Sequence, residues 1–196
     1  LTSTRTRSSC PIYEFADEDN TKITHLDEFA ERFLKKCDLG RTISRYMVLL
    51  ATEQKLMIMR PYQVYAVQHI VKCIEEDNGN GYIWHTTGSG KTLTSFKAAQ
   101  IMTGLPGVHK VVFCVDRKDL DYHTITEFNS YSKGSVDSTN NTKKLVSQFV
   151  DTDTKLIVTT LQKLNTAISK QRYLKQMGEL QDERIIFIFD ECHRSQ

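Results

Sequence analysis

Hydrophobic residues recur along this chain in two rhythms, one of three to four positions and one of unbroken runs. The first rhythm holds to about residue 77. Leu26, Phe29, Ala30, Phe33 and Leu34 predict a helix over Asp27–Cys37, with Gly40 just beyond it as a stop. Ile43, Tyr46, Met47 and Leu50 predict a second helix over Thr42–Glu53. Val64, Val67, Ile70, Val71 and Ile74 predict a third, opening near Pro61, where proline suits a first helical turn. The string Asp77-Asn78-Gly79-Asn80-Gly81 is a strong turn signal and closes it. Ahead of all three, Leu1–Cys10 is rich in Ser, Thr and Arg and reads as a loop or the strand remnant of a preceding module.

Past Gly81 the rhythm changes. Tyr82-Ile83-Trp84 predicts a short strand, then a glycine-rich loop and a helix from Lys91 to Met102. Continuous apolar runs at Lys110–Val115, Leu156–Thr159 and Ile185–Phe189 predict three further strands. Helices are expected between them, over Leu120–Phe128, Thr142–Phe149 and again after Thr159, with a polar, turn-rich stretch at Ser130–Asn141. Strands that are apolar throughout are buried on both faces, and strands alternating with helices build a largely parallel sheet. The expected fold is therefore α/β, a mostly parallel sheet flanked by helices with its ligand at the carboxyl edge. Tyr82 and Trp84 are expected to pack within it or as a lid rather than to stack on bases.

Composition adds limits rather than a function. With 196 residues, 39% hydrophobic and 26% charged, the chain suits one well-buried domain plus an extension. It has no apolar run long enough to cross a bilayer and no secretory signal in its polar, basic first residues. Five cysteines, scattered and never closely paired, argue against a disulfide framework or zinc cluster and point to a reducing cytoplasm. A net charge of +2 neither reveals nor excludes a nucleic-acid partner. A first residue other than methionine and an abrupt end at Gln196 suggest an internal piece of a larger protein.

The most informative stretch is His85-Thr86-Thr87-Gly88-Ser89-Gly90-Lys91-Thr92. A nucleoside triphosphate needs a collar of backbone N–H groups, and a glycine-rich loop lets the chain curl closely around the phosphates. Thr87, Gly88, Ser89 and Gly90 supply that collar. Lys91 brings an ammonium to the terminal phosphates, and Thr92 offers a hydroxyl to Mg²⁺. His85 stands where the general phosphate-loop pattern has glycine.

A second constellation, Asp190-Glu191-Cys192-His193, follows the apolar run Ile185–Phe189. Carboxylates at the end of a buried strand are costly unless a cation or polar partners meet them. Mg²⁺ supplies that reason for Asp190, and Glu191 is placed to orient and deprotonate an attacking water. His193 suits a link between the nucleotide site and the rest of a motor. The competing interpretation is a strand that simply ends in charged surface.

Together the loop and the Asp-Glu-x-His string resemble superfamily 2 helicases and translocases, whose first RecA-like lobe carries both. Arg60-Pro61-Tyr62-Gln63 resembles that family's adenine-recognising segment, with Gln63 reading the base edge. Val115–Asp121 and Thr159–Leu164 stand where those motors place loops that touch the nucleic-acid backbone, which implies contacts from Arg117, Lys118, Thr160 and Gln162. Arg117 and Lys118 also suit a solvated surface pair, and Thr160 and Gln162 a helix cap.

The wording of four strings is narrower still. His85–Thr92, Asp116–Asp121, Thr159–Leu164 and Phe189–Gln196 resemble the R subunits of type I restriction enzymes. That resemblance covers Met59–Gln196 well and Tyr13–Glu53 more weakly. It implies a helical linker segment over 1–55, following a nuclease module that lies elsewhere. Residues 56–196 are then the first RecA-like P-loop lobe, incomplete at its C-terminus. It further implies ATP and Mg²⁺ as cofactors, double-stranded DNA as substrate, and methyltransferase and specificity subunits as partners. The parent enzyme is expected to translocate duplex DNA and then cleave it. The fragment alone is expected to hydrolyse ATP feebly, because an arginine from a second lobe is needed to complete the site. Two other functions share these residues: a stand-alone DNA or RNA helicase or remodelling ATPase, and a nucleotide-gated module that binds without hydrolysis. The presence of Glu191 argues against the last.

Overall fold

The computed structural model describes residues 14–50, 54–86, 88–115, 125–129, 137–138, 141–190 and 192, with the backbone alone at 50 and 137–138. Two short helices come first, α1 over Leu26–Phe33 and α2 over Lys36–Tyr46. The first predicted helix thus breaks at Leu34-Lys35, and Gly40, expected as a stop, lies inside α2. The second predicted helix is overturned over Met47–Leu50, and its residues 51–53 lie outside the described residues. Met47–Leu50 is a strand, β1, paired antiparallel with β2 over Lys55–Ile58. Its residues are β-branched or long and apolar, so they serve either state, and the pairing with β2 decides.

Helix α3 covers Pro61–Glu75 with proline in its first turn, as predicted, and α4 covers Lys91–Met102. Strand β3 spans Lys110–Val115 and is buried along its whole length. A helical stretch at 125–129 is the described part of the helix predicted over Leu120–Phe128. A two-residue strand, β4 at Asp137–Ser138, falls in the stretch predicted as turn. Helix α5 (Thr142–Val150), strand β5 (Leu156–Thr160), helices α6 (Leu161–Ser169) and α7 (Gln171–Gly178), and strand β6 (Ile185–Phe189) complete the chain.

The strands β3 to β6 form one parallel sheet in the order β4-β5-β3-β6. Alternate residues of β3 feed two different cores. Val111, Phe113 and Val115 join Val67 and Val71 of α3 and Phe96, Ala99 and Met102 of α4. Val112 and Cys114 join Leu145 and Phe149 of α5, Leu164 of α6 and Tyr173 of α7. The sheet is therefore covered on both faces, as the unbroken apolar runs require. Phe128 is fully buried between Phe96 and Phe113, at ring-centroid distances of 5.2 and 5.1 Å, and so locks α4 against β3. Removing such a ring costs about 3–5 kcal/mol. The hairpin is part of the same body: Tyr46 and Val48 belong to the α3–α4 core, and the Lys97 ammonium donates to the Met47 carbonyl.

Two expectations fail at the other edge of the sheet. Tyr82-Ile83-Trp84 is not a strand, and Tyr82 and Trp84 are 84% and 88% exposed, neither core nor lid. A strand exists only through ladder bonds, and among the described strands β6 pairs with β3 alone. Phe187 and Phe189 of β6 are accordingly half-exposed, stacked on each other at 6.1 Å. At the start of β6 the Arg184 guanidinium donates to the Ile74 carbonyl and to Asp77, tying the end of α3 beside that strand. Buried Lys110 begins β3 and donates to the carbonyls of Asp151 and Thr154, which fixes the turn between α5 and β5. Among the described residues no helix is long and apolar enough to cross a membrane.

Candidate nucleotide site

The glycine-rich loop closes onto itself before it meets anything else. Ser89 donates its N–H to the Thr86 carbonyl at 3.2 Å and its hydroxyl to the same carbonyl at 2.7 Å. With its hydrogen so directed, the Ser89 oxygen accepts from Nδ1 of His85 at 2.9 Å. His85 therefore keeps its proton on Nδ1, and its Nε2 is buried with no partner among the described residues. Burial, and the Lys91 ammonium beyond it, hold the His85 pKa below its ordinary value. The residue that departs from the phosphate-loop pattern is thus a neutral brace for Ser89.

Gly88 and Gly90 both take left-handed backbone conformations, at φ +76° and +81°. Gly90 is the residue from which α4 starts, and its carbonyl accepts from the Thr94 N–H and hydroxyl. No side chain caps this end of α4, and its first turn has no acidic residue. A helix start without an acidic residue in its first turn, to which Lys91 adds a cation, suits an anion. Lys91 and Thr92 are half-buried in that first turn.

The loop is also held from α3. The Tyr62 hydroxyl donates to the Ser89 carbonyl at 2.7 Å, and the Gln63 amide nitrogen donates to the same carbonyl at 3.0 Å. The amide oxygen of Gln63 accepts from the Arg60 N–H at 2.9 Å. Gln63 is 4% exposed, with both ends of its amide engaged by the chain itself. In this conformation it holds the glycine-rich loop through Ser89 and Gly90. Sequence reasoning missed Tyr62 entirely, although it stands next to Gln63 in the Arg60–Gln63 string.

Asp190 is half-buried where β6 ends, and its N–H donates to the Cys114 carbonyl at 3.0 Å. That bond fixes it at the carboxyl edge of β3. Helix α4 leads into the opposite, amino end of β3 and packs along the sheet through Phe96 and Met102, so its Lys91 end is directed back to the carboxyl edge. Oxygen donors of the Thr92 and Asp190 kind suit Mg²⁺. Thr160 is fully buried and caps α6 by accepting from the Lys163 N–H at 3.4 Å, while Gln162 is exposed on that helix's first turn. The cap interpretation thus holds for Thr160. Thr87, Arg117, Lys118, Glu191 and His193 lie outside the described residues.

Comparison with known proteins bears on these features together. The sequence model of the SWI2/SNF2 ATPase family matches residues 62–196, from Tyr62 through the loop to the end of the chain. The type I restriction enzyme SsaAORF53P endonuclease subunit of Staphylococcus saprophyticus is 51% identical over 94% of this chain. The C-terminal part of the MpnIIP endonuclease subunit of Mycoplasma pneumoniae is 44% identical, covering 93% of both chains. The chain belongs to the type I restriction endonuclease subunits, within the SWI2/SNF2 ATPases. A SauMSSORF170P endonuclease subunit from Staphylococcus aureus is 50% identical over the same span. This chain covers 20% of the length of each staphylococcal restriction subunit. The α/β sheet with helices on both faces is that of a RecA-like ATPase lobe, and a SWI2/SNF2 ATPase lobe uses ATP.

Proposed function

We propose that this chain is the first motor lobe of a type I restriction enzyme, binding Mg²⁺–ATP at the carboxyl edge of its sheet to drive movement of duplex DNA. The observation that carries the proposal is the acid-free, uncapped start of α4, with Lys91 in its first turn and the left-handed Gly90 before it. The backbone N–H groups of residues 87–90 and the Lys91 ammonium hold the phosphates. Thr92 and Asp190 are the oxygen donors for Mg²⁺, which neutralises charge developing on the transferred phosphoryl group. Glu191 takes the proton of the attacking water. Gln63 and Tyr62 act on the nucleotide through the loop they position.

Residues 56–196 form the lobe and 1–55 its approach from a nuclease module, with Tyr46 and Val48 at the end of that approach packed into the lobe's core. Arg117 and Lys118, which follow β3 in sequence, and Thr160 and Gln162, at the β5–α6 junction, mark two segments that meet the DNA backbone. Thr160 contributes by fixing the start of α6 and His193 by coupling the site to a second lobe. Methyltransferase and specificity subunits are the partners of the parent enzyme, which works in the cytoplasm and cleaves the DNA it moves. The names of the relatives favour this reading over a stand-alone helicase or remodelling ATPase, and over a non-hydrolysing nucleotide-gated module.

Displacement of a third strand from duplex DNA by the intact protein tests the proposal. ATP-dependent displacement that arrives later as the third strand is moved further from the recognition site is expected. Hydrolysis of ATP without any displacement would remove translocation from the proposed function.

A further inference from the structure

Charge is distributed unevenly in this chain. Residues 142–178 contain seven Lys and Arg against two Asp, so the remainder is net acidic. Both aspartates, Asp151 and Asp153, lie in the turn between α5 and β5. The helices α5, α6 and α7, which pack together over one face of the sheet, hold no Asp or Glu at all. Lys143 and Lys144 on α5, Arg172 and Lys175 on α7 and Lys170 in the link before α7 are exposed, and Lys163 on α6 is half-buried. Each of the three helices has a basic residue and no acidic one in its first turn. That arrangement opposes the helix dipole, which disfavours cations at this end. Stability of the isolated lobe does not account for it.

Between α5 and α7 runs an open groove of about 370 Å³, lined by Lys143, Ser147, Arg172, Tyr173 and Gln176. The Arg172 guanidinium carbon lies 4.6 Å from the centroid of the Tyr173 ring, and this ring is buried in the core. One cation at the groove is thus held on a rigid base. The first turn of α5, with Lys143 and Lys144, belongs to a helix that leads into the amino end of β5. Its start is therefore directed to the carboxyl edge, where Thr160 and Gln162 stand.

We infer that the α5–α7 face is a second phosphate-backbone contact for duplex DNA, separate from the nucleotide site and continuous with the β5–α6 junction. A polyanion of one sign repels every carboxylate on the surface it crosses, and these helices have none. A protein partner, whose own charges are mixed, imposes no such exclusion. The inference rests on the proposal that the protein acts on duplex DNA.

The test measures binding of a 40-base-pair duplex by the intact protein against salt concentration, beside a Lys143→Gln/Arg172→Gln/Lys175→Gln variant and the corresponding triple change to Glu. Circular dichroism and thermal unfolding check that both variants fold. The Gln variant is expected to lower the slope of log affinity against log salt by about 0.9 for each phosphate that is no longer neutralised. The Glu variant is expected to weaken binding further, with ATP hydrolysis in the absence of DNA unchanged in both. Wild-type slope and affinity in a folded Gln variant would overturn the inference while leaving the motor proposal standing. Normal DNA binding with failed assembly onto the methyltransferase and specificity subunits would overturn it in favour of an acidic protein surface. A wild-type protein that binds no duplex and whose ATP hydrolysis ignores DNA would end both.

Discussion

The Gln63 amide nitrogen reaches the Ser89 carbonyl at 3.0 Å, joining α3 to the phosphate loop across 26 positions of sequence. With the Tyr62 hydroxyl on the same carbonyl, it leaves the Ser89-Gly90 backbone little freedom to turn. Gln63 and a base-reading residue in its place make different predictions. A residue that holds the loop affects every nucleoside triphosphate alike. Gln63→Ala is expected to weaken binding of fluorescent ATP and GTP analogues equally, by roughly tenfold, the worth of one buried hydrogen bond. Weakening confined to ATP would show that the amide leaves the loop to read adenine.

The two loop glycines differ in what surrounds them. A Cβ at Gly90 would stand 2.4 Å from the Gln63 amide nitrogen, whereas one at Gly88 meets nothing within 4 Å. Both substitutions carry a left-handed backbone cost of about 1–2 kcal/mol. Gly90→Ala is therefore expected to be the more damaging to nucleotide affinity, and Gln63→Ala to recover part of the difference in the double variant. Equal effects of Gly88→Ala and Gly90→Ala, in calorimetric titration with ATP, would contradict the packing.

His85 makes the fold sensitive to acid. Its folded pKa is held below 6.5 by burial and then by Lys91, so between those two values the unfolded chain binds a proton that the folded chain does not. Stability from this group is complete above pH 6.5 and falls as pH drops toward the folded value. Urea unfolding at about pH 7.5 and about pH 5.5 is expected to show a smaller acid loss in His85→Gln than in wild type. Parallel losses would remove His85 from the acid response.

Thiol accessibility reports on the sheet itself. Cys114 is fully buried in β3, and burial pushes its thiol up to about 12. Cys37 and Cys192 are exposed. Under native conditions a disulfide reagent is expected to modify Cys37 and Cys192 within minutes and to reach Cys114 only after unfolding. Native labelling of Cys114, read by peptide mass, would mean that β3 opens far more readily than its packing implies.

Much of this arrangement is legible in the residues, for reasons that also explain the failures. Strands β3 and β5 carry unbroken apolar runs, Val111–Val115 and Leu156–Val158, because both faces are covered, and that needs no knowledge of their neighbours. Helix α3 announces itself by period and by Pro61, and α4 by the glycines before Lys91. Met47–Leu50 continues a helical rhythm and gives no sign of its partner β2; the turn between them uses Gln54 at φ +52° rather than a glycine. Tyr82-Ile83-Trp84 has strand composition, but pairing is a property of two segments and cannot be read from one. Gln63 stands out beside Pro61, yet its bonds to Ser89 and Gly90 are hidden because they are non-local. The basic face on α5–α7 is hidden by averaging, since the acidic remainder of the chain brings the net charge down to +2.

Lys91 and the Asp190-Glu191 pair are proposed to serve one triphosphate, and every other role assigned above depends on that. ATP binding and DNA-stimulated hydrolysis, followed side by side in the intact protein and in Lys91→Ala and Glu191→Gln variants, decide it. Lys91→Ala is predicted to lose both, whereas Glu191→Gln keeps binding and loses hydrolysis by a factor of about a hundred or more. Hydrolysis that persists at the wild-type rate in Lys91→Ala would contradict a shared triphosphate site at its root.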